Sequence, residues 1–434
     1  MLILLITLDC VRADRIGGIL TPNLNALDPE WTTFSQAFAQ CQHTLPSHLS
    51  MLTSNYLWQH GIYSNLQQKD LPAHALPRSL AERGYDVQAF VSTDFLAIQL
   101  ANQIGRKDNR FPGPQSKTLS TRYHRLLRRW LGHRRRASAT LAKGRGWLDH
   151  TRRSRNAFLW LHLFDAHMVY TAPPSYLRKF VTPGAADITV REALKRRGWW
   201  APTFEEYQQR LPLEHFTQRY DAAIAYQDAR LGAFFAWLKA RGWWDDALIF
   251  VTADHGECLM GDHDIYCAHK KLFDDTIHVP LKVKFPEGRL AGHRCDALVQ
   301  HVDLAPTAAA AVGFGEPLYM GKDLAGVAEG RVTPHPAVFA EHEENIMRAV
   351  RNERYLWVER TPGAVDRWDL PKDDGPLSLR EGPPVSCDHA AEIAGLKAQM
   401  QDFLSRGKEA QSAWGDIEGE QGAIAESLKG LGYL

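Results

Sequence analysis

Apolar residues run from Leu2 to Leu8 (LILLITL) with Thr7 as the one polar position, and Asp9 ends the run. Four more stretches read the same way: Tyr85 to Ser92, Asn156 to Phe164, Ala247 to Ala253, and Val279 to Phe285. A short continuous apolar run, without polar alternation, is the pattern of a strand covered on both faces in a parallel sheet. Helical patterns alternate with these runs. The clearest covers Glu214 to Gly242, where apolar residues recur every three or four positions. The alternation predicts an α/β fold with a central, mostly parallel sheet flanked by helices. Beyond about Gly330 the texture changes to shorter strand-like pieces: AVFAEH, MRAVRN and RYLWVER. A Pro/Gly/Asp-rich stretch (Pro371 to Pro384) and two helical patterns follow. The expected organisation is therefore a catalytic-size unit over 1–330 and a small antiparallel α+β subdomain over 331–434.

Composition narrows this picture. The 434 residues are 44% hydrophobic and 23% charged, enough for a large core and unlike a disordered chain. The formal net charge of +1 gives no global field toward nucleic acid, and no nucleic-acid-binding motif is present. The charge is unevenly spread. Gly105 to Asn156 holds 16 Lys/Arg against Asp108 and Asp149. That insertion (105–155), with its basic helical pattern TRYHRLLRRWLGHRRR, reads either as a solvated face or as a docking face for an anionic substrate, lipid surface or acidic partner. The six cysteines are far apart with no C-x-x-C spacing, so neither a zinc ribbon nor a disulfide framework is expected. No stretch reaches the length of a transmembrane segment. The start lacks a basic n-region and runs straight into Asp9, so we expect a buried strand and a cytoplasmic protein. Oligomeric state is silent in the sequence.

Candidate chemistry sits where the predicted strands end. Asp9 closes the first run, and Asp254 and His255 close ALIFVTADHGE. In such sheets, ligands bind at the carboxyl ends of the strands. Carboxylates buried there are costly unless they bind something. Between them in sequence lies CQHTLPSHLSMLTS, which looks helical after its first turn. Thr44 there is either a simple helix N-cap or a nucleophile facing the positive end of the helix dipole. A cation held by Asp9, Asp254 and His255 would lower its pKa further.

Taken together, LITLDCVRADRIG, TPNLNAL, TLPSHLSMLTS, HLFDAH, YDAAIAYQDARLG, VTADHGE, HVPL and VDLAPT resemble the alkaline phosphatase/sulfatase superfamily, most closely its sulfatase-like branch. The resemblance runs from about Leu2 to Leu370. It implies one divalent metal ion, with manganese or zinc favoured and calcium or magnesium open, held by Asp9, Thr44, Asp254 and His255. Relatives often carry a second Asp at Cys10 and Asn or Gln at His255. Sulfatases of this type carry C-x-P-S-R, or serine for the cysteine, and oxidise that residue to formylglycine. Here the motif reads Thr44-Leu45-Pro46-Ser47-His48, and threonine is not a residue that machinery oxidises. Cys41 is three positions early and reads as a packing cysteine; Ser47 matches the motif's non-nucleophilic serine. Two-metal relatives carry an Asp and a His four residues apart. The matching positions are Asp228 and Gly232, so Asp228 is expected to be structural.

The resemblance further implies that His48, His167, His269 and Lys270 contact the ester oxygens or assist the leaving group. His162, Asp165 and His263 are weaker candidates, and His60 is expected to be structural. The leading expectation is a hydrolase of small anionic phosphate or phosphonate mono- or diesters (a phosphoesterase or phosphodiesterase) acting through a phospho-threonine. The alternatives are a sulfate ester hydrolase, a phosphoryl-group transferase to an alcohol acceptor, and a non-catalytic binding protein.

Overall fold

The computed structural model describes residues 1–105, 134–151, 156–168, 170, 172–181, 213–260, 266–269, 271–342, 347–360, 375–378 and 390–410. Thirteen strands are present among them: β1 Leu2–Leu8, β2 Thr32–Phe38, β3 Asp86–Val91, β4 Ala157–Leu163, β5 Leu248–Ala253, β6 Cys258–Met260, β7 Tyr266–Ala268, β8 His278–Lys284, β9 Arg294–Gln300, β10 Val338–Glu341, β11 Met347–Arg351, β12 Tyr355–Arg360 and β13 Gly375–Ser378. The main sheet has the order β3-β4-β1-β5-β8-β2-β9. β1 pairs parallel with both β4 and β5. All seven of its residues are buried, as a mostly apolar run without polar alternation requires. The sheet is mostly parallel, as expected, with one exception. The Val279 to Phe285 run forms β8, which is antiparallel to both β5 and β2. An apolar run signals burial, not strand direction. β2 and β9 carry polar alternation (TTFSQAF and RCDALVQ), so they lack the signal that marks the central strands.

Helices cover the sheet. The longest, Leu213–Arg241, matches the predicted pattern to within a residue. The helix Thr44–Thr53 begins after β2 and is buried along its whole length. A second sheet, β10-β11-β12-β13, is antiparallel throughout. It packs on the β9 end of the main sheet. Val338, Ala340, Ala349, Leu356 and Val358 join one apolar cluster with Phe38, Ile277 and Leu298. The helix Ala390–Ala410 closes it through Leu396, Met400 and Phe403, which pack with Tyr56, Trp58 and Trp357. The basic helical pattern before Arg134 and the final helical pattern after Ala410 lie outside the described residues, as do His263 and Lys270. No helix among the described residues is long and apolar enough to cross a membrane.

Candidate active site

Three adjacent strands deliver the central groups. The register sets Leu8 beside both Leu163 and Ala253, so β4, β1 and β5 end level with one another. Asp9 and Asp254, each the next residue after its strand, therefore emerge side by side. The Asp9 N–H donates to the Leu163 carbonyl (2.8 Å), continuing the ladder to the last position. His162, on β4, donates from Nε2 to Asp9 Oδ2 (2.9 Å) and accepts the Ser92 N–H at Nδ1 (3.4 Å). Burial pushes this imidazole down to about 4, so it is a neutral donor that orients the carboxylate. The Asp254-His255 turn is held by Gly256, whose N–H donates to the Thr276 carbonyl (2.8 Å). A Cβ at Gly256 would lie 2.0 Å from the Asp275 carbonyl, so only glycine fits this approach.

The helix Thr44–Thr53 supplies the hydroxyl. Thr44 is its first helical residue and His43 holds the N-cap position, one residue earlier than the cap expected at Thr44. Thr44 Oγ1 is buried 3.5 Å from both Asp9 Oδ2 and His255 Nε2. Ser47 pins the helix to the end of β5, since its Oγ donates to the Asp254 carbonyl at 2.7 Å. His48 differs from its expected role. Its Nδ1–H donates to the Thr44 carbonyl (2.7 Å), and its Nε2 accepts from the Thr7 hydroxyl (2.9 Å), which itself accepts from Trp160 Nε1 (3.0 Å). Burial lowers its pKa to about 3. An uncharged ring with both nitrogens engaged cannot replace an arginine as an anion clamp. It supports the Thr44 backbone instead.

Two buried carboxylate oxygens lack donors. Asp254 Oδ1 accepts the N–H groups of Cys10 (3.2 Å) and His255 (2.9 Å), but Asp254 Oδ2 and Asp9 Oδ1 accept no hydrogen bond among the described residues. Burial pushes Asp9 up to about 6 against the pull of His255, and burial together with Asp9 raises Asp254. His255 donates Nδ1–H to the Gly256 carbonyl (3.0 Å), which leaves Nε2 as the lone-pair nitrogen beside Thr44. Two unpaired carboxylate oxygens, an imidazole lone pair and a hydroxyl form a donor set that a divalent cation fits, and its bound charge would offset their burial.

A ring of further groups surrounds this centre. His167 donates Nδ1–H to the Met168 carbonyl (2.7 Å), stacks on Phe164 at 4.3 Å, and is held neutral by burial and by Arg134. His269 is partly exposed. It lies 4.5 Å from the His255 ring, ring centre to ring centre, and its Nδ1 is 3.4 Å from Glu257 Oε1. Asp165 accepts the Ala137 N–H at the start of helix Ala137–His150. His60 bonds to Ser50 and to the Ile62 N–H. Asp228 accepts three hydrogen bonds from Asn23 and Leu24 at the short helix Pro22–Ala26. Cys41 is buried, bonds to the His43 carbonyl, and has its thiol pushed up by burial.

Sequence reading did not single out Glu257 or Arg134. Glu257 is fully buried, held protonated by burial and Asp9, and its Oε2 has no hydrogen-bond partner among the described residues. Its only signal was its place at the end of the DHGE run. Arg134 brings one charge of the basic segment within range of Asp9 and His167; composition marked the segment but not this residue.

The family model described as Sulfatase matches residues 2–314. The chain is 25% identical over 197 residues to the uncharacterized sulfatase YidJ of Escherichia coli (strain K12), covering 43% of this chain and 38% of that protein. Its match thus spans well under half the length of that relative. Among solved structures, the phosphonate monoester hydrolase of Agrobacterium radiobacter superposes with a TM-score of 0.66 at 21% identity, covering 94% of this chain and 95% of the other. BT4656, solved with its substrate D-glucosamine-2-N,6-O-disulfate, superposes with a TM-score of 0.70 at 15% identity, covering 95% and 99%. At these identities the likeness is one of fold.

Proposed function

Because the chain belongs to the sulfatase family, and is thereby an ester hydrolase by class, we propose that it cleaves small anionic phosphate or phosphonate esters with Thr44 as nucleophile. One observation carries this reading: a buried threonine hydroxyl stands 3.5 Å from Asp9 Oδ2 and from His255 Nε2. When bound, a divalent cation on Asp9, Asp254 and His255 supplies hydroxyl acidity and neutralises ester charge.

The side chains do the rest. Thr44 Oγ1 gives up its proton along the hydrogen bond to Asp9 Oδ2 and bonds to phosphorus as the leaving oxygen departs. His162 and His48 keep the carboxylate and the Thr44 backbone in place. The leaving oxygen takes its proton from His269, whose ring lies 4.5 Å from that of His255; His167 stands beside it, fixed by its Nδ1–H on the Met168 carbonyl. Water then attacks the phospho-threonine and restores the hydroxyl. A sulfo-threonine lacks the second hydroxyl by which formylglycine expels sulfate, so phosphorus esters are favoured over sulfate esters.

Parallel assays of an aryl sulfate, a phosphate monoester, a phosphodiester and a phosphonate monoester test this. The expected outcome is turnover of phosphorus esters, with Thr44→Ala lowering kcat/KM by at least about 10³-fold. Turnover of the aryl sulfate alone would overturn the substrate class. Product that appears only when an acceptor alcohol is added would make the protein a transferase.

A further inference from the structure

Beside the centre just described lies a second group of donors that the proposed reaction does not need as ligands. Cys10 Sγ, His167 and His269 offer ligand atoms that all lie within 4.8 Å of one another. Cys10 also belongs to a group with Asp9 and His255, so its sulfur stands between the two sets. The backbone at Cys10 is unusual. Its φ is +62°, a left-handed conformation that a non-glycine residue adopts at a cost of about 1–2 kcal/mol. It is held there from both sides: its N–H donates to Asp254 Oδ1, and its carbonyl accepts from the Tyr220 hydroxyl at 2.7 Å. The fold thus spends strain to aim this thiol at the imidazoles.

We propose that Cys10, His167 and His269, with Glu257 beside them, form a second cation site that selects zinc. The spacings match the ion. Around a tetrahedral zinc with bonds of about 2.0–2.3 Å, sulfur and nitrogen ligands stand roughly 3.6 Å apart, and nitrogen and oxygen ligands roughly 3.3 Å. Cys10 Sγ and His269 Nδ1 are 3.8 Å apart; His269 Nδ1 and Glu257 Oε1 are 3.4 Å apart. His167 has its Nδ1–H on the Met168 carbonyl, so its lone pair is on Nε2; the carbonyl is the usual partner that fixes the tautomer of a ligating histidine. Sulfur with two imidazoles is a soft set that favours zinc over calcium, magnesium or manganese. This is not the site that two-metal relatives build, because Asp228 is committed to the Asn23–Leu24 turn. Zinc binding here does not depend on which ester is cleaved. One consequence does rest on the proposed function: zinc held by His269 removes the proton donor, so excess zinc lowers turnover.

The test is metal content, read without any substrate. Full-length protein is stripped by chelation, reloaded with zinc, freed of excess and analysed for zinc per chain and by X-ray absorption. We expect two zinc ions per chain, with sulfur scattering at about 2.3 Å. Cys10→Ser should hold one zinc and show no sulfur scattering. Asp254→Asn, which damages the first site, should keep one zinc with sulfur scattering. That result would stand even if the hydrolase reading failed. A single zinc per chain in the wild-type protein, with or without sulfur scattering, would overturn the proposal, as would sulfur scattering that persists in Cys10→Ser.

Discussion

At the residue scale, the site depends on groups that never touch substrate. His48 is the clearest. It bonds to the Thr44 carbonyl on one side and to Thr7 on the other, and Trp160 completes the chain. Removing the ring frees the first turn of the helix without removing the nucleophile. His48→Ala is therefore expected to lower kcat by about 10- to 100-fold with little change in KM, the size seen when groups behind a reactive residue are lost. His48→Asn, whose side-chain amide can donate to the same carbonyl, should recover much of the loss. A rise in KM with kcat intact would instead mean that His48 contacts the ester.

At the scale of elements, the site is a meeting of three parallel strand ends and one helix start. Ser47 is the rivet between them, because its hydroxyl satisfies the Asp254 carbonyl. Ser47→Ala leaves that buried carbonyl without this donor and should cost about 1–3 kcal/mol, read as a lower thermal midpoint with the fold retained. A neutral result would show that the helix is held elsewhere. The strands that build the site were legible: β1, β4 and β5 are each a mostly apolar run without polar alternation, and Asp9, Asp254 and His255 were found at the ends of β1 and β5. What could not be read was anything set by pairing between distant strands. His162 meets Asp9 only because β4 lies beside β1. His48 turned out to support rather than clamp because Thr7 lies within reach across 41 residues. β2 and β9 escaped notice because their polar positions hide the apolar ones, and the reversed direction of β8 leaves no mark in its composition.

At the scale of the molecule, the antiparallel sheet is tied to the main one by buried polar contacts. Glu341, at the end of β10, accepts the Trp58 N–H (3.1 Å), and its own N–H donates to the Gln40 carbonyl (2.8 Å). Burial raises its pKa from 4.5 to about 7, against the opposing pull of Arg348. The folded chain therefore holds a proton here that the unfolded chain has released between about pH 4.5 and 7, so this residue's contribution to stability falls as pH rises through that window. Glu341→Gln keeps an acceptor for Trp58 and removes the titration. It should flatten the slope between pH 5 and 7 and raise stability at pH 8 by up to roughly 3 kcal/mol, measured by denaturant unfolding across pH. An unchanged slope would mean that the group stays ionised in the fold.

The proposed reaction turns on a covalent bond to one oxygen. Acid-quenching the protein during turnover of a phosphate ester, then mapping its peptides by mass spectrometry, reads that bond directly. We predict a phosphoryl group on Thr44, formed within the first turnover and absent from Thr44→Ala. A phosphoryl group on another residue, or full turnover by Thr44→Ala, would contradict it.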